Sequence, residues 1–524
     1  MDSDVKNSPK HSVQIVEEKG SVGPEENVYN AHIDTAEIDE RKIIRKVDLR
    51  LVPWFSVLYL LSFLDRTSIG NAKLYNLERD LKISDNQYLI SLTVFFISYA
   101  IFEVPSNIFL KRLRPSVWFA FLMVMWGLIM TLQGVAHNFG GLVGLRWMLG
   151  TFEAGLYPGM AFHLSCWYKR SELGIRTALF TSATTLSGAF GGLLAAAISN
   201  MDGIGGRPAW SWIFIIEGLA TIVAGIASYW IVQDFPDTAK FLTETERTFM
   251  IRRLQGDDQY SAAGERLQMK NIWSSFRDWK TWFSMVQLME CLSQHEQLLV
   301  PNAFFLGMRH ASVCILLVHS VDYKPGFRAT PANLLTVPIY AFAAVVTCFV
   351  ALYADKHGRR GYCNILMLSI GAIGYIILII SRNAALSYFA VFVATCGIFP
   401  VVPNTVTWIA NNFEGTYKRG VTLALAISMG NLNGAVSSNV YRARDTPWYT
   451  LGHGLVLMYI CIGIIANSVF LYLLKKENAR RDRGERDEVI GSEELEDNGN
   501  GRYATVEDAK REKGDNWSGY RYIL

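Results

Sequence analysis

The stretch LVPWFSVLYLLSFLDR, Leu51 to Arg66, runs fourteen residues from Leu51 to Leu64 without a charged side chain, then sets an acid beside a base, Asp65 and Arg66. A helix that crosses the hydrocarbon of a bilayer needs about 20 apolar residues. A crossing over 50–70 takes in the whole run and leaves the charged pair inside it. An ionised side chain at mid-bilayer costs about 2.5–3.5 kcal/mol on insertion scales. Both groups must therefore face a water-filled cavity or find partners on other helices.

The rest of the chain has the composition of a membrane domain. Of 524 residues, 51% are hydrophobic and 19% charged, against about 25% charged in soluble globular chains. The shortfall is confined to the middle, because the first and last fifty residues are polar and charge-rich. Runs of crossing length fall at 50–70, 88–110, 116–136, 140–166, 174–199 and 210–232. After a polar stretch they resume at 333–354, 362–381, 386–409, 420–440 and 450–474, with one poorer run between 281 and 325.

Loop charge tests the count, since Lys and Arg in short loops mark the cytoplasmic side. RKIIRKVDLR (41–50), LKRLRPS (110–116), Lys169 with Arg170 and Arg176, Lys356 with Arg359 and Arg360, Lys418 with Arg419, and KKENARRDRGER (475–486) fall on one side. AHNFGG (136–141), on the other, has neither Lys nor Arg. Two cytoplasmic tails require an even number of crossings, so the poor run counts and the total is twelve. The expected fold is an all-α polytopic membrane protein of two six-helix halves, 48–232 and 281–474. Around them lie a cytoplasmic tail (1–47), a central loop (233–280) and a second tail (475–524). TETE (243–246) reads as a capping box that starts a short helix in the loop. WYKRSELGIRTALF (167–180) and FEGTYKRGVTLALA (413–426) form a faint internal repeat, each placing a basic residue, Arg176 or Arg419, at the start of a helix rich in small residues. Gly140/Gly144, Gly155/Gly159, Gly188/Gly192 and Gly430/Gly434 have the spacing of close helix packing.

Motifs now enter. ADKHGRRG (354–361) resembles the signature G-x-x-x-D-R/K-x-G-R/K-R/K of the major facilitator superfamily, with Ala351 in place of the first Gly. LLSFLDRTSIGNAKL, PSNIFLKRLRPS, RWMLGTFEAGLYPG and TPANLLTVPIYAFAA together look like the fungal allantoate and nicotinate permease group of the anion:cation symporter branch. The resemblance covers about 40–280 and 328–475. It implies the major facilitator fold, whose two halves are parallel repeats, and a proton-coupled carrier of a small organic anion in the plasma membrane, acting as a monomeric unit. It also implies a conformational-switch motif at Asp355, Gly358, Arg359 and Arg360.

The fourth run adds a second charged pair, Arg146 and Glu153, seven residues apart and so on one helix face. Arg66 and Arg146 can hold a carboxylate by bidentate, charge-assisted hydrogen bonds. Asp65 and Glu153 are then the proton carriers, because an anion that screens a neighbouring Arg favours proton uptake by the acid. Members of the branch carry an Asp-Arg pair in the first helix and an Arg with an acid seven residues on in the fourth, which match these four positions. Asn107, Tyr157, Asn404 and Asn433 are the neutral substrate contacts expected around them, with Glu103, His163, Glu217, Trp408, Asn411 and Asn431 as weaker candidates. The reading places charge in the first half and shape selectivity in the second.

One segment departs from the pattern. Residues 282–327 carry Glu290, His295, Glu296, Arg309 and His310 where relatives have an ordinary apolar seventh helix, and 286–326 has the character of translated intron. A short or broken seventh helix, and with it an inactive product, is one alternative that follows; a nutrient sensor that binds without carrying is another. Other classes lack support. A net charge of +3 without basic patches gives no nucleic-acid partner, and seven cysteines without a CxxC pair give no metal site. Walker A, HExxH and GxSxG sequences are absent, so neither an enzyme nor a cofactor is expected.

Overall fold

Capping chemistry in the sequence starts several of the helices. The computed structural model describes residues 29–30, 32–257, 269–298, 330–437, 450–491 and 499–524. Helix α1 (Glu40–Leu74) begins after Asp39, whose carboxylate accepts from the Arg41 amide. After α2 (Leu77–Asp80), Ser84 and Gln87 form a capping box for α3 (Asp85–Arg112). Helix α4 (Pro115–Gln133) starts on a proline, whose missing N–H is one the first turn leaves unbonded anyway. Asn138 caps α5 (Phe139–Glu153), which continues as α6 (Leu156–Ser165) through right-handed helical backbone at Ala154 and Gly155. Helices α7 (Leu173–Thr181) and α8 (Ala183–Ile198) likewise join at Ser182, and α9 (Ala209–Ile231) closes the first half. The expected box of Thr243 and Glu246 starts α10 (Glu244–Gln255).

The second half holds α11 (Met269–Arg277), α12 (Trp279–Leu298), α13 (Thr330–His357), α14 (Arg360–Ile380), α15 (Ala384–Ile398), α16 (Val401–Asn411), α17 (Thr416–Leu432), α18 (Gly434–Ser437) and α19 (Thr450–Asp482). A two-residue parallel ladder, β1 (Val489–Ile490) with β2 (Arg502–Tyr503), and α20 (Val506–Lys513) follow. Eight stretches among the described residues are long and apolar enough to cross a membrane. The runs α5–α6, α7–α8 and α17–α18, each divided at a joint, and the more polar α12 make up the twelve that the sequence leads one to expect.

Polarity is inverted relative to a soluble protein. Trp230, Phe349 and Ile380 are about 70% exposed on the outside of the bundle, as lipid-facing residues are, whereas Asp65, Glu103, Arg146, Glu153, Glu217 and Glu290 are each at most 3% exposed. Helix α12 stands in the place of the seventh crossing, packed on α17 and α19, with Glu290 buried against Gly463. So part of the anomalous segment forms a helix in the expected position; Arg309, His310 and the rest of 299–329 lie outside the described residues.

Close packing uses other glycines than the spacing suggested. Gly140 and Gly144 have no neighbouring element within contact of an added Cβ, so that pair does not pack. At Gly155 a Cβ would run into Ser106 of α3 and at Gly159 it would lie 3.0 Å from Phe119 of α4, so this pair does. Another close seam is α4 on α9, where a Cβ on Gly127 would lie 2.8 Å from the Gly218 carbonyl. The halves meet along α3 with α17, where Ser428 donates to the Ala100 carbonyl at 2.7 Å, and along α7 and α8 with α13. The segment entering α1, helix α10 and the segment after α19 all lie at one end of the bundle, here termed the tail face: Lys46 bonds Glu246, Arg170 bonds Asp257, and Tyr520 meets Arg170.

Candidate functional site

Helix α1 brings Ser62, Asp65, Arg66 and Ser68 to the interior of the first half. The Arg66 Nε donates to Glu153 Oε1 of α5 at 2.6 Å, and Ser62 Oγ donates to the same oxygen at 2.9 Å. Glu153 therefore pairs across helices with Arg66 rather than along its own helix with Arg146. Three rings surround the Arg66 guanidinium: Tyr99 at 4.9 Å, Phe63 at 5.1 Å and Phe95 at 5.8 Å from their centroids. A planar cation between aromatic faces is held in one orientation without losing its donors. Gly150 makes this approach possible, since a Cβ there would collide with Ser98 and the Phe95 carbonyl of α3.

Arg146 lies about 10.5 Å along the helix from Glu153, on the same buried face. Its Nε and Nη2 are buried and have no hydrogen-bond partner among the described residues. The acids within its electrostatic reach are Glu153 and Asp65. Asp65 accepts a bond from Thr221 Oγ1 of α9 at 3.2 Å and faces the charges of Glu217 and Glu153. Glu217 accepts from Ser68. Three carboxyls and two guanidinium groups are thus gathered within one half; the sequence singled out Asp65, Arg66, Arg146 and Glu153 as site residues and Glu217 as a weaker candidate.

The structure does not open this cluster onto the central chamber that the sequence reading expected. A small void, with room for about one water molecule, lies between the halves, lined by Tyr59, Thr181 and Thr184 from the first and Thr347, Phe399 and Pro403 from the second. Asp65, Arg146 and Glu153 are at most 2% exposed and do not line it. Tyr157, one turn beyond Glu153, stacks at 4.9 Å on Tyr59, which lines the void. Asn107 is buried on α3 with neither amide atom hydrogen-bonded among the described residues. Glu103, one turn before it, takes a 3.4 Å bond from Asn431 across the halves.

Asn404 and Asn433, read as substrate contacts, hold helices together instead. Asn404 donates to the Arg360 carbonyl at 3.0 Å and to Asn364 Oδ1 at 2.7 Å, and accepts from Arg360 Nη1 at 3.0 Å. Asn433 bonds the Met289 carbonyl and Tyr459. Both N–H groups of Asn404, and one N–H and the oxygen of Asn433, are thus engaged by neighbours. Trp408 and Asn411 likewise face the tail face, where Trp408 Nε1 donates to the Ile523 carbonyl at 2.7 Å and Asn411 to the Arg170 carbonyl at 2.8 Å.

Of Asp355, Gly358, Arg359 and Arg360, the first and last form a junction between the halves, while Gly358 and Arg359 are exposed. Asp355 Oδ2 accepts from the Ile175 amide in the first turn of α7 at 2.8 Å, while Oδ1 is bonded by Arg360. A carboxylate of the second half therefore sits on a helix N-terminus of the first, where free N–H groups and the helix dipole favour negative charge. Gly174 leaves room for it: a Cβ there would lie 2.7 Å from Arg360 Nη1. Gly358 takes φ +63°, the left-handed turn that ends α13, and Arg359 is the first cap of α14. Close by, Arg176 holds Asp48 with two bonds of 2.8 and 3.0 Å.

The sequence pattern of the Major Facilitator Superfamily matches residues 55–438. A relative from Penicillium expansum, MFS-type transporter cnsO, is 34% identical over 92% of this chain and 93% of its own. Major facilitator-type transporter hxnP of Emericella nidulans is 28% identical over 90% and 92%. Among solved structures, a bacterial homolog of the human lysosomal transporter Spinster, inward-facing and occupied, shares the fold with TM-score 0.51 at 15% identity, covering 83% of this chain and 97% of that one.

Proposed function

The chain belongs to the major facilitator superfamily and is a membrane transporter, and from that premise we propose that it carries a small organic anion together with protons by alternating access. The observation that carries this reading is the pairing of Arg66 with Glu153 beside an Arg146 whose Nε and Nη2 are buried without a bonding partner among the described residues. A carboxylate cargo supplies acceptors to both guanidinium groups. It competes with Glu153 for Arg66, and the displaced Glu153, now buried without a cation, takes up a proton. Cargo and proton therefore bind together. Asp65 and Glu217, two acids facing each other, share the second proton position. Entry from the central void requires the Tyr59–Tyr157 stack to part, which makes that pair the inner gate. Asn107 lines the same pocket, whereas Asn404 and Asn433 are left out of it. Allantoate, nicotinate and related carboxylates suit two guanidinium groups and an aromatic box. The tail face is assigned to the cytoplasm, and the membrane to the cell surface.

The test is uptake into proteoliposomes of a panel of radiolabelled carboxylates, with and without an inward proton gradient. Acid-driven accumulation of at least one panel member, abolished by Arg66→Ala, is the expected result. Gradient-independent accumulation, or preference for cationic solutes, refutes the proposal.

A further inference from the structure

The segment after α19 was expected to be a solvated tail, but its end is packed. Asp515 and Tyr520 are each 1% exposed and Tyr522 is 5% exposed. Asp515 enters a basic pocket of the second half, bonded by Lys280 of α12 and, at 2.9 Å, by Lys418 of α17, with Asp278 2.7 Å from Lys418. Burial alone raises the Asp515 carboxyl, yet the two ammonium groups hold it well below the usual carboxylate range. Ile523 then pairs with Asn412 as a strand would, its amide donating to Asn412 Oδ1 at 2.8 Å and its carbonyl accepting from Asn412 Nδ2 at 3.0 Å. Asn478 holds Tyr522 in the same way, at 2.9 Å in each direction. Anchoring to the second half is thus extensive.

Tyr520 carries the contact with the first half. The Tyr520 ring lies 4.9 Å from the Arg170 guanidinium in the α6–α7 connection. The Tyr520 hydroxyl donates to the Asn411 carbonyl at 2.8 Å, and the Asn411 amide donates to the Arg170 carbonyl at 2.8 Å. Tyr520 therefore closes a three-membered bridge across the halves, at the same face as the Asp355–Ile175 junction. Rocking that opens the tail face has to separate Arg170 from both Tyr520 and Asn411.

We propose that the tail face of the second half is a peptide-binding site whose ligand is the chain's own segment Gly514–Leu524, recognised through the Asp515 carboxylate and Tyr520, and that its occupancy clamps the transporter closed at that face. The segment sets how often the carrier opens there, and its release is a route to faster turnover. The inference needs only alternating access and is independent of which solute is carried.

The test places a reporter, Ser182→Cys, at the void in a background with the native cysteines replaced. A membrane-impermeant maleimide is applied from the tail face of proteoliposomes. Tyr520→Ala, and a chain ending at Lys513, should label about tenfold faster, the change that follows from losing roughly one cation–π contact and its hydrogen bond. A synthetic peptide of residues 514–524 should return the shortened chain to the slow rate, which also shows that it is folded. The same peptide carrying Asp515→Asn should not. Equal labelling of full and shortened chains overturns the clamp. So does faster labelling that the unmodified peptide leaves unchanged.

Discussion

Glu153→Gln is the substitution that separates binding from coupling. The amide keeps the size of the carboxylate and an oxygen for the Ser62 hydroxyl and Arg66 Nε, now 2.9 and 2.6 Å from Glu153 Oε1. A hydrogen bond to a charged group is worth about 1.5–3 kcal/mol and a neutral one about 0.5–1.5 kcal/mol, so the change weakens the hold on Arg66 by roughly 1–1.5 kcal/mol. Because one partner remains an acceptor, the fold avoids the 3–5 kcal/mol loss that follows when a buried charge is stripped of its partner altogether. Arg66 is then easier for a cargo carboxylate to recruit, and anion affinity should rise about tenfold at 1.4 kcal/mol per decade. The proton site is gone. Counterflow exchange of labelled anion should therefore persist with a lower half-saturation, while accumulation driven by a proton gradient is lost. Both are measured in the same proteoliposomes. Wild-type accumulation by the variant would remove Glu153 from the proton path, and loss of counterflow by a monodisperse protein would remove the competition between Glu153 and cargo.

Arg146→Lys exchanges a planar fork for a point charge and should raise the half-saturation for the anion about tenfold or more, read from uptake kinetics at constant expression. Asp355→Asn removes the charge on the α7 N-terminus and from Arg360; with about 1–2 kcal/mol lost there, tail-face labelling of the Ser182→Cys reporter should rise roughly five- to thirtyfold, and an unchanged rate refutes a role for this junction in holding the halves together. Gly218→Val forces α4 and α9 apart and should cost about 1–3 kcal/mol, seen as a lower melting temperature in detergent. Gly144→Ala, with open space around it, should leave that temperature unchanged or slightly higher. The depressed Asp515 carboxyl contributes fully above its unfolded value of about 3.9, and the contribution fades only as pH falls from there through the bound value. Protease release of the 514–524 segment should therefore be flat between about pH 5 and pH 8, and a step in that window contradicts the Lys280–Asp515–Lys418 assignment.

The helical crossings were legible because lipid imposes one requirement on every residue of a span, an apolar side chain, and that requirement is written locally. Asp65, Arg66, Arg146 and Glu153 were legible for the complementary reason, being exceptions to it. Partner choice was not. Helix spacing joins Arg146 to Glu153, but the partner of Glu153 is Arg66 of α1, on a helix distant in sequence, while Gly150 brings α5 close to α3. Such crossings depend on which small residues face one another, and Gly127 with Gly218 are ninety-one positions apart. Asn404 and Asn433 are ambiguous for a related reason: a neutral amide in a span serves a helix contact as readily as a ligand. The docked segment at Asp515–Tyr522 was hidden because its ligands, Lys280 and Lys418, lie in other elements and its own sequence resembles any polar tail. Two buried tyrosines beside an acid were the available sign.

The division of labour between the halves follows from the strength of the contacts. A junction that must break on every cycle can cost only a few kcal/mol, since a shift from one state to the other by a factor of a hundred each way takes about 5.5 kcal/mol. Asp355 on the α7 N-terminus and Tyr520 on Arg170 are contacts of that size, and both lie where the halves meet. Arg66 with Glu153 is different: buried within one half, it costs more to break than a rocking motion can supply unless another anion takes the place of the carboxylate. Motion therefore opens the interface, and only exchange of ligands opens the ion pair. A carrier whose charge cluster straddled the interface would be strained apart at each turn of the cycle, with or without cargo. Under the proposed symport, confinement of the cluster to α1, α5 and α9 of the first half would make proton uptake conditional on cargo instead of on movement alone.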